Sequence, residues 1–443
     1  MKLLVLPLTL ALCWTSALAQ SDLPPGTKMS WLENDKIKLG VDLNRGGAIV
    51  YLAPKGGQNV VNNFDLGRQV QLSFFSGPVP FGNPAEHWNH IGWNPIQAGD
   101  DFGNRGETLT HTNDQKSIHL TCKPLQWPLN NVPGDCLFES WLELDGAAVK
   151  ARARLQNKRS DTQQYPARLQ ELPAVYANAR FHRVVSYQGA KPFSGQPFSA
   201  APEPSGKHPW SFWLGTEGWA ALLDENDVGL GLITPGRVHF TGGFAGKAGP
   251  NDTMANSTGY LAGQSQDILD HNIVFDFGYE LVLGSVDQIR QRAAIYRPNG
   301  LPEWSFSQYR QGWHHQNVED EGWPVKDGLH LKLTGADPQM ISPYTFWNAD
   351  DAPEVEVEAA TNVPNGSMIL MWQRLGDQAI PSANHAAASV IADGEFHPVR
   401  FDLSKSEAYQ GSIVRLRLDP PGGGSPDQWF KVRKITVKKG GSS

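Results

Sequence analysis

From residue 27 onward the chain alternates short apolar runs with turns. "KIKLGVDL" places apolar residues at every second position. "NRGG" then turns the chain into "AIVYLA", and "PKGGQN" ends that run before "RQVQLSFF" begins. Period two with glycine-rich reversals is the pattern of antiparallel hairpins. It continues through "SIHLTCKPLQW", "CLFESWLELDG", "AAVKARARLQN" and "RFHRVVSYQG". In the third of these, Ala151, Ala153 and Leu155 share one face, and Lys150, Arg152 and Arg154 the other. "WAALLDENDVGLGLITP" reads as two strands around a polar turn, and "HNIVFDFGYELVLGS" as another pair. One helix is predicted, "SVDQIRQRAAIYR", with Ser285 as its N-cap. An all-β unit of this length, carrying one terminal helix, fits a large two-sheet antiparallel sandwich.

Residues 297–312, "RPNGLPEWSFSQYRQG", read as a linker that packs on something through Trp304, Phe306 and Tyr309. Beyond it the strand pattern resumes in "LHLKLTG", "EVEVEAAT", "SMILMWQR", "FHPVRFDL", "IVRLRLDP" and "FKVRKITVKK". These predict a second, smaller β-sandwich over 313–440. The first sandwich then occupies 20–296, after a leader over 1–19.

The leader rests on Lys2, the apolar run "LLVLPLTLALCW" and Ala17-Leu18-Ala19, which set cleavage before Gln20. The expected location is secreted or periplasmic, with no membrane attachment after cleavage. Removal of the leader takes Cys13 and leaves Cys122 and Cys136, which are expected to close one disulfide around a Pro/Asn-rich loop. The net charge of −7 over 443 residues speaks against a nucleic-acid or anionic-membrane partner, each of which calls for a basic patch. No Walker loop, Rossmann fingerprint or G-x-S-x-G elbow is present, and no cofactor is expected.

The segment Asp393–Pro420, "DGEFHPVRFDLSKSEAYQGSIVRLRLDP", resembles the carbohydrate-binding-module-like jelly rolls of secreted glycan-active proteins, in which D-G-x-[FW]-H, D-L and L-R-[LI]-D-P recur. The opening of the larger unit, "LGVDLNRGGAIVYLAPKGGQNVVNNFDLGRQVQ", is similar to the galactose-mutarotase-like β-supersandwich, with its N-x-V-N and D-x-G-R-Q-x-Q run. That fold appears in aldose epimerases, glycoside hydrolases and polysaccharide lyases. The resemblances imply an all-β chain, a β-supersandwich followed by a jelly roll, and a carbohydrate ligand. The epimerases' His and Glu placements are not matched here.

Candidate site residues cluster in four stretches. "HWNHIGWNPIQAGDDFGN" carries Trp88, Trp93, Asn94, Gln97, Asp100 and Asp101. Flat aromatics stack on the C–H face of a sugar, and amides and carboxylates take its hydroxyls. His87, His90 and Asp100 match no zinc-ligand spacing, and no metal is expected there. "RLQELPAVYANARFH" carries Arg168, Glu171, Tyr176 and His182. Glu171, in an apolar frame, is expected to be partly buried and to have a raised pKa suited to acid catalysis. On a regular strand Arg168 and Glu171 would point to opposite faces unless Pro173 disturbs the pleat. "HPWSFWLGTEGW" adds Trp213 and Glu217 as subsite residues, and "DILDHNIV" adds His271 beside Asp270 as a candidate base. Hydrolysis would pair Glu171 with Asp100, Asp101 or Glu217. Elimination would use Tyr176 or His271 as base, with a neighbouring Asn94, Gln97 or Arg168 neutralising a uronate.

The leading expectation is a secreted enzyme that cleaves a polysaccharide or oligosaccharide, with hydrolysis ahead of lyase chemistry. A non-catalytic glycan-binding protein and an exported epimerase are the alternatives.

Overall fold

A computed structural model of the chain describes residues 23–77, 95–205 and 209–440. The leader and the aromatic stretch carrying Trp88, Trp93 and Asn94 lie outside the described residues. Every strand pairing among the described residues is antiparallel.

Two sheets form the first sandwich. The front sheet runs, in spatial order, Met29–Glu33, Ile37–Asp42, Ala48–Pro54, Val70–Phe75, Arg168–Asn178, Thr258–Asp267, His239–Ala245 and Ser211–Leu214. The short strand Pro95–Gln97 attaches to Val70–Phe75. The back sheet is centred on Val228–Ile233, Val274–Ser285, Ala148–Asn157 and Cys136–Asp145. Leu39, Leu52, Val70, Phe74, Leu155, Leu172, Leu261 and Leu281 fill the space between them. The alternation read in "AVKARARLQN" holds: Ala153 and Leu155 are buried, and Lys150 and Arg152 are exposed.

The predicted helix spans Val286–Ala293. Ser285 caps it, and Gln288 returns a hydrogen bond to the cap backbone, a reciprocal arrangement that satisfies two otherwise unpaired N–H groups. Its Ile289 presses on the back sheet at Gly231, where a Cβ would lie 2.5 Å from the isoleucine side chain.

The second sandwich has its own core, including Trp313, Leu331, Val357, Trp372, Leu416 and Phe430. One sheet is built around Trp429–Lys438, the other around Ser412–Asp419. The linker reading of 297–312 is corrected in part. Glu303–Ser305 is a strand paired with Trp429–Lys438, and Trp304 and Phe306 belong to the second core. Their apolar side chains bury more surface there than a linker could.

The expected disulfide is also corrected: Cys122 and Cys136 are free and buried. Cys122 sits opposite Phe138 on paired strands, so Cys136 is its diagonal neighbour. Diagonal Cα atoms lie about 7–8 Å apart, beyond the reach of an unstrained disulfide. Burial pushes the Cys122 thiol up to about 12, which makes it a poor nucleophile.

Candidate functional site

Three adjacent front-sheet strands build the site on the sheet's outer face, turned away from the core. In Val70–Phe75, Val70, Leu72 and Phe74 point into the core, leaving Gln71 and Ser73 on the other side. In Thr258–Asp267, Leu261 points inward, so Tyr260, Ala262 and Gln264 point outward. Arg168–Asn178 needs one adjustment. Leu172, Val175 and Ala177 lie in the core, and strict alternation would put Glu171 and Tyr176 on opposite faces. A β-bulge between Glu171 and Ala174 absorbs the mismatch: Glu171 pairs with Gln264 and Ala174 with Ala262. One extra residue restores the phase, and Glu171 joins Ala174 and Tyr176 on the outer face.

Glu171 is the centre of a hydrogen-bond chain. The Tyr260 hydroxyl donates to its Oε1, and the Ser73 side chain also bonds to it. Gln97 donates from Nε2 to Ser73 Oγ at 3.1 Å. Burial pushes the Glu171 carboxyl above its ordinary value, and the Ser73 and Tyr260 hydrogen bonds pull it part of the way back. Burial and the neighbouring Glu171 charge likewise push the Tyr260 hydroxyl well up, so tyrosine remains the donor of the pair.

Aromatic rings pack on Tyr260, the partner of this carboxyl. Tyr176 lies 4.8 Å from Tyr260, and Trp210 4.7 Å from it, centroid to centroid. Gly243 makes room for Trp210: a Cβ there would sit 2.1 Å from the Pro209 carbonyl and 3.0 Å from the indole. Phe212 is 55% exposed on the next strand.

The N-x-V-N and D-x-G-R-Q-x-Q run fixes Tyr176 in place. The Asn62 N–H donates to the Tyr176 carbonyl at 3.0 Å, and the Tyr176 N–H donates to the Gln69 carbonyl at 2.9 Å. Asn59 holds the run itself, accepting from Leu52 and donating to Val50. Arg68 bridges Asp65 at 3.2 Å and the Asn256 carbonyl at 2.6 Å. The charges of Asp65 and Arg68 both act on the Tyr176 hydroxyl, as does that of Glu171.

The structure therefore brings together Glu171, Tyr176 and Gln97 from the residues selected in the sequence. Trp88, Trp93 and Asn94 lie outside the described residues, and the other selected residues are placed elsewhere. Asp100 organises a turn: its carboxylate accepts from the Phe102 and Asn104 N–H groups at 3.0 and 2.8 Å, and from Asn104 Nδ2 and Asn131 N. Those four donors occupy the acceptor capacity that catalysis or a metal would need. Asp101 lies in the same turn, its N–H donating to the Trp127 carbonyl. Arg168 stacks over Phe75 at 5.4 Å.

Trp213 packs in the core against Phe240, since its strand parity is opposite to that of the exposed Phe212. Glu217 is a structural bridge. It takes two hydrogen bonds from the helix residue Arg290, at 2.8 and 2.7 Å, and one from the Trp219 indole at 2.8 Å. His271 occupies the turn before Val274–Ser285, where its carbonyl accepts from the Arg159 N–H. Among the described residues no three His, Cys, Asp or Glu side chains are grouped to hold a metal.

Tyr260, Ser73, Asp65 and Arg68 have no site role in the sequence reading, whereas Trp210 belongs to the run "HPWSFWLGTEGW" read there as an aromatic floor beside Glu217. The signal that could have found Tyr260 is the small-residue frame of "GYLAG", in which a large ring alternates with residues that leave a sheet face open.

No family model matches the chain, and no curated protein matches it in sequence. Solved structures do match. A galactose mutarotase-like protein from Lactobacillus casei shares 12% identity at a TM-score of 0.38, covering 58% of this chain and 100% of that one. The 4-alpha-glucanotransferase of Thermococcus litoralis shares 11% at 0.33, covering 59% of this chain and 38% of its own. The alpha-galactosidase of Geobacillus stearothermophilus shares 12% at 0.33, covering 59% and 40%. The last two are thus matched over less than half their length.

Proposed function

We propose that the protein is a secreted carbohydrate-active enzyme that cleaves glycosidic bonds of an oligosaccharide or polysaccharide, with Glu171 as the proton-transferring group. The observation that carries this reading is a carboxyl pushed up by burial and hydrogen-bonded to the hydroxyl of Tyr260, whose ring packs against Tyr176 and Trp210. A carboxyl with a raised pKa stays protonated nearer to neutral pH and can hand its proton to a leaving glycosidic oxygen. The rings supply apolar surface for a pyranose face. Ser73 and Gln97, relayed behind Glu171, hold its orientation as a supporting shell does in preorganised sites.

Hydrolysis needs a second carboxyl. Asp65, acting with Glu171 on the same Tyr176 hydroxyl, is the candidate and replaces Asp100 and Glu217 in that role. One observation favours elimination as the second reading: the immediate hydrogen-bond partner of Glu171 is a tyrosine hydroxyl, that of Tyr260. A tyrosine–carboxylate pair suits proton abstraction beside a uronate.

The test is a panel of neutral and uronate-containing polysaccharides, read for new reducing ends and for the ultraviolet absorbance of an unsaturated uronate. Reducing ends alone indicate hydrolysis, and both together indicate elimination. The Glu171→Gln variant should lose about 10²-fold or more of the turnover while retaining ligand binding, since it keeps the shape and removes the proton. Full activity in that variant refutes the catalytic assignment. Binding without products leaves the glycan-binding alternative.

A further inference from the structure

An unassigned space lies where the two sandwiches meet. A cavity of about 840 Å³ is lined by His239, Gln264, Gln266 and Asp267 of the front sheet, by Arg237 just before it, and by Tyr309, Tyr344 and Arg415 from beyond residue 300. Gln264 is the cross-strand partner of Glu171, so the cavity opens directly beside the proposed reaction centre. Its volume falls in the range of small-molecule sites, roughly 300–1,000 Å³.

Two groups in it are incompletely partnered by the protein. The Arg237 guanidinium makes no hydrogen bond or ion pair among the described residues, and burial pushes its pKa down. Asp267 is 6% exposed, and its Oδ2 has no hydrogen-bond partner. The two lie close enough for their charges to interact without closing a salt bridge. A guanidinium whose neighbouring carboxyl closes no salt bridge lacks hydrogen-bond acceptors, an unfavourable arrangement when desolvated, and a bound anion relieves it.

Arg415 of the second sandwich provides the opposite wall. It stacks on Tyr344 at 4.4 Å, donates to the Ser342 carbonyl at 3.1 Å, and reaches the front sheet at Gln266 Oε1, 3.3 Å away. Tyr309, 53% exposed, offers a stacking ring.

We propose that this interdomain cavity is a subsite for a sugar carrying an anionic substituent, a carboxylate or a sulfate ester, which Arg237 binds while Asp267 takes a ring hydroxyl and Tyr309 stacks on the sugar. The proposal rests on the carbohydrate reading above and narrows its substrate class to acidic glycans. It also gives the second sandwich a part in substrate recognition, through Arg415 and Tyr344.

The test is calorimetric titration of the full chain with three probes of equal length: an oligogalacturonide, a sulfated galactan oligosaccharide and a neutral galactan oligosaccharide. At least one acidic probe should bind about tenfold or more tightly than the neutral one, as one charge-assisted contact provides. That preference should shrink with added salt. Arg237→Gln should lose it, and the separate surface variant Tyr309→Ala should weaken the acidic probe. The two acidic probes distinguish carboxylate from sulfate. The proposal is overturned if neither acidic probe outbinds the neutral one, if the preference ignores salt, or if Arg237→Gln keeps it. Should Arg237→Gln not fold, the salt series on the parent and Tyr309→Ala still decide. Cleavage of neutral glycans without acidic preference removes this subsite and leaves the enzyme reading intact. Absence of both binding and cleavage across all glycans removes both.

Discussion

Glu171 is held in the fold at a cost when ionised. Its carboxyl is raised above the ordinary value by burial, so the folded protein retains a proton that the unfolded chain gives up. Stability therefore falls as pH climbs from the ordinary carboxylate pKa through the raised one, and the full contribution is present only below that window. Glu171→Gln should melt higher than the parent at about pH 8 and together with it at about pH 4. Thermal melts at the two pH values check this. Tyr260→Phe removes a hydrogen bond that lowers the Glu171 pKa. The limb of the pH–rate profile belonging to Glu171 should therefore move to higher pH, and an unmoved limb would separate the pair functionally. The sequence pointed to Glu171 because a carboxyl in "LQELPAV" is anomalous in itself. It misplaced Trp213 because "SFWL" offers two adjacent rings, and only the register against Phe240 and Thr241 decides that Phe212 faces outward. For Asp100, Glu217 and Glu171 the composition reads alike. What separates them is the number of donors each receives, and those donors come from residues distant in the chain.

At the scale of elements, locally encoded features were the legible ones. The helix from Val286, its Ser285 cap and the Ile37–Pro54 hairpin each follow from neighbours in sequence. The bulge at Glu171 does not. Its phase is set by the strand carrying Gln264 and Ala262, some ninety positions later, and it alone aligns Glu171 with Tyr176. The cysteine pair failed for a related reason, because spacing along the chain says nothing of strand register. With Cys122 diagonal to Cys136, a thiol reagent added to unfolded, unreduced mature protein should label both, and reducing agent should leave the melting temperature unchanged. Finding no reactive thiol would restore the disulfide.

At the scale of the whole molecule, Arg310 joins the two sandwiches. It binds Asp270 of the first and Asp320 beyond it, with Trp323 at 5.0 Å from its guanidinium. Fragments test how the second sandwich is delimited. A piece spanning 301–440 should melt cooperatively, whereas 313–440 lacks Trp304 and Phe306 and should melt lower or not fold, since removing each buried ring costs about 3–5 kcal/mol. Equal melting of the two fragments would return 301–312 to the status of a linker. The division into two β units was readable because strand periodicity stops and resumes around 297–312. The pairing of Glu303 with Thr436 was not, since no local pattern announces a partner so far away.

That pairing has a consequence for how the protein comes into being. Trp429–Lys438 is an interior strand, flanked by Glu354–Thr361 on one side and by Leu329–Lys332 and Glu303–Ser305 on the other. A chain emerging from the ribosome makes this strand after the three strands it joins. Until it has emerged, those three earlier strands have no common neighbour, and Trp304 and Phe306 have no finished core to enter. The first sandwich, whose strands end at Ser285, meets no such delay. Nascent chains are therefore expected to carry a folded first sandwich trailing an open second one, which completes only once Trp429–Lys438 has emerged. Loss of Trp429–Lys438 would remove the middle of a sheet rather than trim an edge.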